Sequence, residues 1–106
     1  MATFRIVRGN TAPTYTLTCT RDGTAIDLTG ATVKVVVKSP SGSITNAAQD
    51  DATVTSAAGG IITYTAETAA IFDAVGTFLG DIKITYSDGS VEILRDRAKW
   101  KCRDKN

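Results

Sequence analysis

Histidine is absent from this 106-residue sequence, and proline and cysteine occur only twice each. Without an imidazole the chain lacks the commonest general base and the commonest neutral metal ligand. Two cysteines, Cys19 and Cys102, cannot complete a four-ligand zinc site by themselves. No apolar run approaches the ~20 residues that a membrane-spanning helix requires. The opening Met1-Ala2-Thr3-Phe4-Arg5 has no apolar stretch of the kind a signal peptide carries, so folding in the cytoplasm is expected. An excess of either charge is missing too: 12 Lys and Arg face 11 Asp and Glu, a net charge of +1. That balance gives no whole-molecule attraction to nucleic acid or to an anionic membrane. The absences together predict a protein that is not an enzyme, with no cofactor, no metal, no nucleic-acid partner and no membrane partner.

What is present points to strands. The 42% hydrophobic and 22% charged fractions are those of an ordinary globular chain. The length corresponds to one domain over 1–106, large enough to bury about 60–65% of its extended surface around a single core. Thr is abundant and Val and Ile recur, residues whose branched side chains suit a pleated surface.

Period-two alternation dominates, broken by turn residues. Phe4 and Ile6 mark a short first strand. Tyr15, Leu17 and Cys19 share one phase against Thr16, Thr18 and Thr20, and Asp22-Gly23 closes that strand. Ile26 to Leu28 reads as a short extended piece. Val33, Val35 and Val37 form the inward face of a central strand whose other face carries Lys34, Val36 and Lys38. Ser39-Pro40-Ser41-Gly42 is a turn, and the polar stretch to Ala58 predicts a weak strand or two. Ile61 to Thr65 follows Gly59-Gly60, and Glu67 to Asp73 is a helical turn with Thr68 as its cap. Phe78, Ile82, Ile84 and Tyr86 then alternate with Asp81, Lys83 and Thr85. Asp88-Gly89 turns the chain into a last strand or strands carrying Val91, Ile93, Trp100 and Cys102. The expected fold is an all-β, immunoglobulin-like sandwich of about seven to eight antiparallel strands, with a small barrel as the competing architecture. Its buried set is Tyr15, Leu17, Val33, Val35, Val37, Tyr64, Phe78, Ile82, Ile84 and Trp100.

Few residues offer chemistry. Cys19 and Cys102 fall on inward phases and read as reduced core thiols, with a disulfide between an early and the last strand as the alternative. A nucleophilic thiol has no imidazole to activate it. Asp22, Asp27, Asp50, Asp51, Asp73, Asp81 and Asp88 lack the spacing of a calcium loop, and most sit beside turn glycines. The one charge-dense stretch runs from Arg95 to Lys105. A basic strand with an interleaved Trp suits single-stranded nucleic acid, but Lys99, Lys101 and Arg103 alternate with Trp100 and Cys102. That phase describes one solvated and one buried face.

The order of these segments resembles a known family. RGNTAPTYTLTC from Arg8 to Cys19, then RDGTAIDLTGATVKVVVKSPSG from Arg21 to Gly42, are similar to the N-terminal domain of phage baseplate upper proteins. Gly9-Asn10-Thr11, Asp22-Gly23 and Asp27 to Val33 carry the likeness. Gly59 to Thr65, Gly76-Thr77-Phe78 and Asp81 to Gly89 continue it, so that it covers most of the chain from Arg8 to about Ile93. The resemblance implies an immunoglobulin-like domain acting as a virion structural or adaptor part, made in the host cytoplasm. It would sit in a baseplate, tail, neck or capsid decoration, bound to other phage virion proteins as a homo-oligomer or symmetric array. A host-surface or carbohydrate-binding module is the alternative reading. Expected partner-binding residues are Arg5, Arg8, Arg95, Arg97, Lys99, Lys101 and Arg103, on first and last strands taken to be sheet edges.

Overall fold

The structure, a computed structural model, describes residues 2–9, 13–45, 49–66 and 69–104. Among these residues the strands are β1 (Ala2–Val7), β2 (Thr14–Thr18), β3 (Thr20–Arg21), β4 (Thr24–Ala25), β5 (Thr32–Lys38), β6 (Asp50–Asp51), β7 (Thr53–Ser56), β8 (Ile61–Thr65), β9 (Gly76–Thr85) and β10 (Val91–Arg103). One sheet runs β1-β10-β9-β5-β6, a second β2-β8-β7, and β3 and β4 form a small hairpin. The expected all-β sandwich is what the chain forms, its longer alternating strands giving one side to a shared apolar core. One pairing departs from the antiparallel expectation: β1 lies parallel to β10, with Ala2 opposite Ala98 and Val7 opposite Arg103. Parallel neighbours need a long connection, and here nearly the whole domain supplies it.

The ten residues expected in the core are all buried, and Ile6, Cys19, Ile26, Leu28, Ile62, Phe72, Leu94 and Cys102 join them. The helical turn expected over Glu67 to Asp73 is a 3-10 turn at Ala69–Phe72. It places Ile71 and Phe72 in the core, while Glu67 and the cap assigned to Thr68 lie outside the described residues.

Two acids depart from the turn and surface roles expected of them. Asp50 lies in β6, not in a turn, and is 5% exposed. Its Oδ2 accepts a 2.6 Å hydrogen bond from the Tyr64 hydroxyl, which satisfies two polar groups that burial would otherwise penalise. Asp81 keeps its outward phase on β9 yet is only 6% exposed, because β10 bulges over it. Opposite β9, the register jumps from Leu94–Ile82 to Ala98–Gly80. Asp96 sits in the left-handed region at φ 54°, and its N–H donates to Asp81 Oδ1 at 2.8 Å. Lys38 Nζ stands 3.3 Å from Asp81 Oδ1 and from Asp96 Oδ1. The bulge is therefore pinned by a carboxylate and a lysine from the neighbouring strands.

The largest buried side chain is Trp100. Its ring centroid lies 5.9 Å from Phe4, 5.6 Å from Tyr15, 6.0 Å from Tyr64 and 5.2 Å from Phe72, so it touches both sheets and the 3-10 turn. Gly80 on β9 makes room for it: a Cβ there would come within 2.5 Å of Trp100 Cζ3 and 2.7 Å of Cη2. Four rings hold the indole from other directions, so it has nowhere to retreat. Gly80→Ala should cost about 1–3 kcal/mol by overpacking, read as a lower denaturation midpoint. In a Trp100→Phe background, which removes the clashing atoms, the same change should cost much less. Equal cost in both backgrounds would contradict the clearance argument.

Cys19 and Cys102 are buried and unbonded. Burial pushes the Cys19 thiol up to about 11, with Arg97 pulling the other way and Glu92 adding to the rise. Burial likewise raises Cys102, whose charged neighbours are Arg8, Asp104 and Asp73. The reactive thiolate is thus scarce at both positions. Native protein exposed to iodoacetamide at mildly alkaline pH should keep its unmodified mass, and denaturant should release two alkylation events. Rapid modification of either cysteine without denaturant would show that the core around it opens.

Candidate interaction surface

Because Trp100 and Cys102 point inward, Lys99, Lys101 and Arg103 point outward from the five-stranded sheet. The register extends this into rows. Thr3, Lys99, Leu79 and Lys38 stand side by side across four strands, followed by Arg5, Lys101 and Thr77, then Val7 and Arg103. Further along the same face, Asp51, Lys34, Lys83 and Ile93 form another row.

The acids on this face are engaged. Asp51 lies 3.2 Å from Lys34 Nζ, and Asp81 and Asp96 share Lys38. Burial works against the charge on Lys38, but its contacts with Asp81 and Asp96 more than compensate and raise its pKa. Arg5, Lys83, Lys99, Lys101 and Arg103 have no ion pair among the described residues. Arg5 and Lys101 are direct cross-strand neighbours, an arrangement of like charges that is unfavourable until an anion arrives. Val91 and Ile93 lie on the same side of β10, 51% and 54% exposed, so the face combines cations with an apolar patch. The outer side of the three-stranded sheet differs: Thr14, Thr16, Thr18, Thr53, Thr63 and Thr65 line it without charge.

The expected partner-binding set therefore divides. Arg5, Lys99, Lys101 and Arg103 come together. Arg95 is exposed within the bulge, where the register gives it no cross-strand partner. Arg8 is half-buried between Asp73, at 4.0 Å, and Asp104, at 3.8 Å. Arg97 donates from Nη1 to Thr20 Oγ1 at 3.1 Å, tying β10 to β3. Nearby Arg21 donates from Nε to Glu92 Oε2 at 3.0 Å and pairs through Nη2 with Oε1. The Tyr86 hydroxyl also donates to Glu92 Oε1, at 2.7 Å. Hydrogen bonds from Arg21 and then Tyr86 hold the Glu92 carboxyl below its usual range. These contacts fasten the β3–β4 hairpin across the first half of β10.

One expectation is overturned by the sheet order. β1 is a sheet edge, but β10 is not: from Ala98 to Arg103 it lies between β1 and β9. Its cations are presented by a sheet face, not by an unpaired edge. Lys83 was missed as a candidate. Its outward phase beside Asp81 and Thr85 was visible, but its place between Ile93 and Lys34 on this face depends on pairing between strands.

The fold is similar to that of CopC from Methylosinus trichosporium OB3b, with a TM-score of 0.54 and 12% sequence identity, over 100% of this chain and 88% of that one. At that identity the likeness describes architecture alone. Among curated proteins none matches the chain. A family model does: residues 6–95 match the BppU N-terminal domain. That stretch takes in the β2 to β5 segments and the β8 and β9 segments on which the sequence resemblance rests. The chain belongs to the family of the phage baseplate upper protein N-terminal domain.

Proposed function

We propose that this domain is a structural subunit of a phage virion, repeated in many copies, that docks onto acidic surfaces of neighbouring virion proteins through the outer face of its five-stranded sheet. Membership of a baseplate protein family supports the virion setting. The observation that carries the docking surface is the concentration of Arg5, Lys83, Lys99, Lys101 and Arg103, without ion pairs among the described residues, on one face of a protein whose net charge is only +1. The sheet backbone holds these positions in fixed rows, so the backbone needs no further ordering on binding. Val91 and Ile93 add exposed apolar area next to Lys83, at the other end of β10 from Arg103.

Each exposed charge pair contributes only about 0.2–1 kcal/mol, so a single copy would bind weakly and with low orientation preference. Symmetric repetition supplies the rest through effective concentration. The carbohydrate-binding alternative needs exposed aromatic platforms. Tyr15, Tyr64, Phe72, Phe78 and Trp100 are buried, and Phe4 and Tyr86 are half-buried, the latter with its hydroxyl engaged by Glu92 and Arg21.

The test is to change Lys99, Lys101 and Arg103 together to Glu, with Thr14, Thr16 and Thr18 changed to Glu as the control on the opposite face. Circular dichroism would establish that both variants fold. The first variant should lose roughly tenfold or more in particle occupancy at low salt, three reversed pairs at the weakest end of the surface range, and wild-type occupancy should itself fall as salt rises. The threonine-face variant should incorporate normally. Wild-type occupancy of the charge-reversed protein across the salt range would exclude the basic face as the docking surface.

A further inference from the structure

β1 is the terminal strand of the five-stranded sheet, and no strand pairs with its outer side among the described residues. The Arg8 N–H donates to the Arg103 carbonyl at 2.7 Å. Backbone groups alternate in direction along a strand, so the N–H groups of Phe4 and Ile6 also face β10. Those of Thr3, Arg5 and Val7 then face the open edge. An unpaired edge of this length is a template for another strand, and folded proteins usually guard such an edge with charge, proline or a bulge. Here the only guard along β1 is Arg5, and its cross-strand neighbour Lys101 has the same sign.

That guard is selective rather than prohibitive. A strand laid beside β1 would place its outward side chains next to Arg5, with Lys101 and Lys99 one strand further in. A basic or neutral strand leaves this repulsion unrelieved, whereas carboxylates relieve it. On the inward side the added strand meets Phe4, half-buried and tilted against Tyr15 at 4.8 Å between centroids. Apolar side chains suit that seam. Period-two alternation would deliver both requirements from one segment.

We propose that the open edge of β1 accepts a strand from a partner virion protein, one in which acidic residues on the outward side alternate with apolar residues on the inward side. The inference rests on the docking role assigned to the basic face and adds its mode: β-sheet augmentation, in which main-chain hydrogen bonds supply affinity and alternate side chains supply selectivity.

The probe is a short, end-blocked peptide in which Glu alternates with Val, compared with a peptide of the same composition whose Glu residues are grouped at one end. Amide exchange of the isotope-labelled wild-type protein is measured with each. The alternating peptide should slow exchange at Thr3, Arg5 and Val7, while the grouped peptide should not. The companion variant is Thr3→Pro with Val7→Pro, which removes two edge donors, keeps every cation, and leaves the pairing to β10 intact. It should bind the alternating peptide roughly tenfold or more weakly, the loss of two hydrogen bonds plus steric blocking. It should also lose particle occupancy. Binding without protection of those three amides, or equal binding to the proline variant, would overturn the edge proposal. Occupancy lost on charge reversal but kept in the proline variant would leave the basic face standing and remove strand addition as its mode.

Discussion

Everything on the surface of this domain that bears on function follows from where Trp100 goes. The indole occupies the centre of the core, touching rings from β1, β2, β8 and the 3-10 turn. It fits because β9 offers Gly80 directly beneath it. A slip of β10 by one residue would send Trp100 to solvent and bring Lys99 and Lys101 into the core, which neither residue type tolerates. The register is therefore fixed from inside, and the outward direction of Lys99, Lys101 and Arg103 is fixed with it. The parallel pairing of β1 then brings Arg5 alongside. A packing constraint thus generates the basic face.

The bulge in β10 makes the second half of that arrangement possible. Before it, Leu94 faces the core while Val91 and Ile93 face out, and Glu92 is fastened to Arg21 and Tyr86. After it, Ala98 begins the stretch that β1 covers. The change is held by Asp81, which accepts the Asp96 N–H and meets Lys38. Lys38 and Lys34 belong to the same outer face by register, but their carboxylate partners neutralise them. Apart from Arg95 at the bulge, the cations without ion pairs among the described residues lie toward β1 and in β9.

Much of this was legible in the sequence because burial follows alternation. The inward phase of β2, β5, β8 and β9 can be read from Tyr15-Leu17, Val33-Val35-Val37, Tyr64 and Ile82-Ile84 without knowing which strands are neighbours. The outward phase of the last strand was equally plain. What the sequence hid was pairing between distant segments. Nothing local says that β1 joins β10 in parallel, so alternation alone suits an edge where the stretch from Ala98 to Arg103 is interior to the sheet. The same limitation concealed the partners of Asp50 and Asp81, acids that resemble turn or surface residues until Tyr64 and Lys38 are placed beside them. Gly80 reads as a weak point in a strand, and only the position of Trp100 shows that it is clearance.

The domain has two unlike faces, one lined by threonine and one carrying cations and an exposed apolar patch, and belongs to a family of baseplate domains. The most direct measurement is a reconstruction of the assembled particle at side-chain detail. The account predicts that the outer face bearing Arg5, Lys83, Lys99, Lys101 and Arg103 is covered by a carboxylate-rich surface of a neighbouring protein. A particle in which that face is open to solvent while the threonine-lined sheet makes the contacts would contradict it.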